Sequence, residues 1–122
     1  IITIMILFIA PLYAGDTTTL KCEFDTFSNE KSSSQKENMV LNILFDFKTQ
    51  KTYLLGNNGS SEVESVYNKI EKSITFIEIT DVGNVMMTTV NQNNNKAVHS
   101  RHTVFKGNLM PSQYYGTCKK LD

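Results

Sequence analysis

The chain has 122 residues, 40% of them hydrophobic, with 12 basic residues balanced by 12 acidic ones. That is one domain's worth of chain with enough apolar material for a packed core, which excludes wholesale disorder. A zero formal charge argues against a nucleic-acid partner, which draws on a basic surface, and against a strongly anionic membrane target.

The chain opens on IITIMILFIAPLYAG, where Ile1 to Ala10 is polar only at Thr3 and small residues follow at Ala14 and Gly15. This reads as the apolar and cleavage regions of a secretory signal peptide over residues 1–14, with its charged start missing. Cleavage after Ala14 leaves residues 15–122 as a single β domain. A membrane span needs about 20 apolar residues, and this run is shorter and stops at Pro11. The expected location is therefore periplasmic or extracellular, with no stable membrane insertion after cleavage. Cys22 and Cys118 are the two cysteines, and an even count in an exported chain predicts one disulfide between them. Closing a loop of roughly 100 residues is worth about 4–5 kcal/mol in the chain-entropy treatment.

Strand signals fill the rest. TLKCEF alternates, with Leu20, Cys22 and Phe24 on one face. Ser28 to Asn38 has no apolar residue and is expected to be a solvated loop. MVLNILFDF carries Met39, Leu41, Ile43, Phe45 and Phe47 at period two, the clearest strand in the chain. KTQK turns it back into TYLLG, and Gly56 to Glu62 (GNNGSSE) marks a tight turn. Asn58-Gly59-Ser60 also matches a glycosylation sequon, although Asn-Gly is more simply a turn. SEVESVYNKI is ambiguous. Val63, Val66, Tyr67 and Ile70 sit at helical spacing, and Ser61 with Glu64 fits a capping box. Its neighbours read as strands, so a strand over Glu62 to Asn68 is preferred.

SITFIEIT is apolar on both faces except for Glu78, DVGN turns, and VMMTTVN is the next strand. QNNNK turns again into AVHSRHTVFK. After GN and LMPS, QYYGTC forms a last short strand, with Pro111 at its start rather than its centre. About eight short strands with mostly short turns predict an all-β antiparallel meander, closed or nearly closed as a small barrel. A disulfide from the first strand to the last would set those strands side by side, as closure requires.

The rare residues cluster late in the chain. A strand places His99 and His102 on opposite faces, so they do not chelate one metal, and no metal or other cofactor is expected. The GNNG turn lacks the lysine and helix of a phosphate loop. Period two groups His99 with Arg101, Thr103 and Phe105, and His102 with Val98, Ser100 and Val104. One reading is an ordinary packed histidine. The other is a partly polar interior that holds a small ligand through His99, Arg101 or His102, with Glu78 inward beside them. Tyr114 and Tyr115 split across the last strand, one ring in and one out, and the exposed ring beside Pro111 and Gln113 is either a contact for a partner protein or, as is more usual, a cap on the barrel end. Nothing resembles a nucleophile elbow. A small hydrolase or isomerase would need His99 or His102 within hydrogen-bond reach of Glu78.

The segments LGNNGSSEV, TFIEITDVGNVMMTTV, HSRHTV and PSQYYGTC span most of the mature chain, and in them the sequence resembles a group of small, uncharacterised exported proteins from marine bacteria. The resemblance implies a bacterial, exported setting and carries no activity with it. A weaker likeness, of architecture alone, is to bacterial periplasmic lysozyme inhibitors, which are also short exported barrels with cysteines near both ends. The expectation is thus an exported non-catalytic barrel that binds a small apolar or amphipathic molecule or a partner protein. An inhibitor-like or envelope structural role is the alternative.

Overall fold

The computed structural model describes residues 16–29, 35–56 and 59–121; the expected signal peptide over residues 1–14 and Asn58 of the sequon lie outside them. Eight strands follow in chain order: β1 (Thr17–Asn29), β2 (Gln35–Asp46), β3 (Lys51–Gly56), β4 (Gly59–Asn68), β5 (Ser73–Ile79), β6 (Val85–Asn91), β7 (Lys96–Phe105) and β8 (Asn108–Leu121). Each pairs antiparallel with the next, and β8 returns to pair with β1, so the sheet closes as an eight-stranded meander barrel. Closure leaves no sheet edge along the barrel wall. Cys22 lies directly opposite Cys118 in the β1–β8 ladder, and the two form the disulfide that locks first strand to last across 96 positions of sequence.

Alternation decides what faces inward. Leu41 and Ile43 of β2 are buried, as are Phe76 of β5 and Val90 of β6. In the ambiguous segment 61–70 the strand holds: β4 is laddered to β3 on one side and β5 on the other. Its helical pattern dissolves accordingly, with Val63 buried while Val66 and Ile70 face solvent. The interior nearest the disulfide is packed by Phe24, Ile43, Phe76 and Val90. Each such side chain contributes about 1.5–3 kcal/mol on leaving water.

Three expectations are corrected. The polar stretch from Ser28 is not all loop, because β1 continues to Asn29 and β2 starts at Gln35, with Phe27 paired to Gln35. Polar side chains do not forbid a backbone ladder, and β8 runs alongside to Asn29 as a further partner. The tight turn drawn over Gly56 to Glu62 is shorter, because β4 already begins at Gly59. The last strand is long, and Pro111 lies inside it opposite His102. Proline is tolerated there because Pro111 is one residue beyond the last β1 pair, Asn29 with Ser112. A missing N–H on that edge breaks no ladder bond.

The register of β1 against both neighbours shifts between Phe24 and Thr26, which marks a bulge. In a regular strand Phe24 and Phe27 would face opposite sides. The extra residue turns both inward, where Phe24 is tilted against His99 and Phe27 stacks on Tyr114 at 5.4 Å. Opposite Phe24 stands Gly116, where any Cβ would collide with the backbone of Glu23.

Three turns at one end share one design. Asp46, Asn68 and Asn91 each end a strand and accept backbone N–H bonds from the turn that follows: Asp46 from Lys48 at 3.0 Å, Asn68 from Glu71 at 3.1 Å, Asn91 from Asn93 at 2.9 Å. Each turn then closes on a left-handed residue, Gln50, Lys72 or Asn95. The Asx side chain stands in for a backbone carbonyl and nucleates the reversal.

Candidate functional site

The inner face of β5 to β8 is stacked in rows that change chemistry along the barrel axis. Nearest the disulfide the paired row is Ile74, Val90, Ala97 and Gly116. The next is Phe76, Thr88, His99 and Tyr114, and the last is Glu78, Met86, Arg101 and Ser112. An apolar floor thus gives way to a hydrogen-bonding layer and then to a charged one, at the end opposite the three Asx turns.

His99 is 1% exposed and belongs to the middle row. Its Nδ1 lies 2.7 Å from Thr88 Oγ1, and Arg101 Nε lies 3.4 Å from its Nε2. A guanidinium only donates, so Nε2 accepts and Nδ1–H donates to the threonine. Burial, reinforced by the Arg101 charge, lowers the His99 pKa from 6.5 to about 4. The ring is therefore a neutral, doubly engaged structural group at neutral pH.

Arg101 is half-buried above it. Besides His99, its Nη2 donates to Met39 Sδ at 3.4 Å, and its Cζ lies 5.1 Å from the Tyr114 ring centroid. Aromatic and thioether contacts orient a guanidinium without neutralising it. Glu78 is half-buried on the same row, and its carboxylate makes no hydrogen bond or ion pair among the described residues. The ion pair those residues do show, Lys51 with Glu62 at 3.9 Å, is on the outer surface.

Glu78, Met86, His99 and Arg101, with Met39 and Leu54 across the barrel, line a cavity of about 250 Å³. Arg101 also lines a second, wider cleft of about 790 Å³ toward the barrel mouth, together with Tyr114, Thr103 and Met110. The arginine thus lines both cavities. The β7–β8 ribbon carries four exposed apolar side chains, Val104, Phe105, Leu109 and Met110, of which Leu109 and Met110 line the wider cleft.

Of the residues singled out in the sequence, the fold brings Glu78, His99, Arg101 and Tyr114 to one end of the interior. His102 lies on the other face of β7, exposed, above a shallow groove of about 210 Å³ shared with Pro111 and Gln113. Tyr115 also points outward, with its hydroxyl donating to Gln113 Oε1 at 2.8 Å. Sequence reasoning missed Thr88, Met39 and Met86. Thr88 sits at period two with Met86 and Val90 in VMMTTVN, but its partnership with His99 depends on the pairing of β6 with β7. Met39 contacts Arg101 from across the barrel, which no local pattern reveals.

No match is found for this chain among protein-family models, curated proteins or solved structures. The class that the fold and site define is a closed eight-stranded meander barrel with a charged chamber at one end.

Proposed function

We propose that this protein is an exported, non-catalytic barrel that binds a small amphipathic molecule in the chamber beneath Arg101. The observation that carries this reading is the cavity of about 250 Å³ whose walls combine Met39, Leu54 and Met86 with a guanidinium that has no carboxylate partner among the described residues. Binding sites for small molecules are concave and largely apolar, with a few convergent polar groups. This chamber, at about 250 Å³, lies just below the usual range of about 300–1,000 Å³, which restricts it to small ligands. At about 30 Å³ per water it has room for about eight waters. Export is supported by the Cys22–Cys118 disulfide, a bond suited to an oxidising compartment, and by the signal-like start of the sequence.

A hydrolase using His99 or His102 with Glu78 finds no support in the geometry. Neither histidine is hydrogen-bonded to Glu78, His102 faces away from the chamber, and both nitrogens of His99 are engaged. A second reading, docking of a partner protein, is favoured by the exposed Phe105 and Leu109 on the β7–β8 ribbon.

Isothermal titration of the oxidised chain with probes of one body size tests the main reading: L-leucine, 4-methylpentanoate and 3-methylbutylamine, with octanoate as a longer amphiphile. At least one binds the wild type and is lost from a Ser61→Phe variant that fills the chamber. Failure of all four to bind overturns the reading.

A further inference from the structure

Resting on the chamber reading, we propose that the ligand is a small zwitterion with a compact apolar body, its anionic group on Arg101 and its cationic group on Glu78. Both side chains line the same cavity, on one inner row, with Met86 of β6 between them. Two strand spacings separate their backbones, roughly 10 Å. Side chains of this length can bridge such a gap, yet Glu78 and Arg101 do not pair. Both instead line the chamber.

Electrostatics then selects among ligands. A simple anion seated on Arg101 faces the Glu78 carboxyl across a confined space of mixed polar and apolar lining, where like charges repel more strongly than in bulk water. A simple cation on Glu78 meets the guanidinium in the same way. A neutral molecule takes water from both groups and gives nothing back, which is costly for a half-buried charge. A zwitterion satisfies both ends at once. Among the described residues Arg101 donates through Nε to His99 and Nη2 to Met39, which leaves its Nη1 N–H groups to take a carboxylate. Met39, Leu41, Leu54 and Met86 provide the apolar part of the lining for the ligand's body. The thioethers are polarizable and adapt to its shape.

The same titration panel, extended by 5-aminopentanoate to vary the charge separation, decides the matter in wild type and Glu78→Gln. The Glu78 carboxylate makes no hydrogen bond or ion pair among the described residues, so this variant folds with its neighbours undisturbed. The expected result is that a zwitterion, L-leucine or 5-aminopentanoate, binds wild type at least tenfold more tightly than 4-methylpentanoate or 3-methylbutylamine. Glu78→Gln erases that advantage, and 4-methylpentanoate gains affinity. Wild-type binding of 4-methylpentanoate or octanoate as tight as that of either zwitterion, unaltered in Glu78→Gln, overturns the zwitterion while leaving the amphiphile chamber standing. Silence from every probe removes both.

Discussion

The two ends of this barrel solve opposite problems. At one end three hairpins repeat the same Asx-led turn, and the interior behind them is filled by Ile43, Phe24, Val90 and the disulfide. At the other, the inner rows turn polar and then charged, a chamber opens, and the β7–β8 ribbon carries apolar side chains into solvent. The contrast shows where stability and recognition reside. A packed, covalently tied half can hold shape while the other half keeps an unfilled space and an unpaired carboxyl. His99 sits on the boundary, buried like a core residue but bonded like a polar one.

The largest expected effect is on the tied half. Replacing Cys22 and Cys118 together by alanine should cost about 4–5 kcal/mol, read from denaturant midpoints, since loop entropy returns to the unfolded chain. A loss below about 1 kcal/mol would mean that the packed end does not depend on its covalent tie.

Next comes the boundary. The folded His99 stays neutral until about pH 4, while the unfolded chain takes up that proton near 6.5. Its contribution is thus fully present above pH 6.5 and is lost as pH falls toward 4, an effect of up to about 3 kcal/mol. Measured stability of wild type minus that of His99→Gln should shrink across this window. A constant difference would show that the ring titrates normally in the fold.

A smaller change tests the repeated turns. Asn68→Ala removes the acceptor for the Glu71 N–H and should cost about 1 kcal/mol in thermal or chemical denaturation. Equal losses for Asn68→Ala and Asn91→Ala would establish that the hairpins are interchangeable devices, and unequal ones would single out a dominant turn.

The smallest effects belong to the open end. Phe105→Ser on the exposed ribbon should alter stability by no more than about 0.5 kcal/mol. If it instead destabilises by 2 kcal/mol or more, on the scale of a core substitution, the ribbon is integral to the barrel and the contrast between the ends dissolves.

Much of this was legible in the chain, and for identifiable reasons. Period-two alternation in TLKCEF and MVLNILFDF reports which residues face inward, because a strand's geometry is local. The strand count and paired cysteines led to closure, since a disulfide between first and last strands brings the open edges together. The Asx residues of the turns are also written locally, at Asp46, Asn68 and Asn91, but their common design lies in hydrogen bonds that residue type alone does not specify. The length of β8 was not legible, because tolerance of Pro111 depends on where β1 stops beside it. Nor was the inward turn of Phe27, which needs the bulge in β1.

The site divides in the same way. Residue types and alternation alone grouped His99 with Arg101, set His102 on the other face and marked Glu78 as the polar exception in its strand. Tertiary structure decided which of them meet. Register across β5, β6 and β7 put Glu78, Met86 and Arg101 on one row, and closure brought Met39 from the far side onto the guanidinium. Alternation is a property of neighbouring residues along one chain, whereas a row and a chamber arise only when separate strands fix their register and the sheet curls shut.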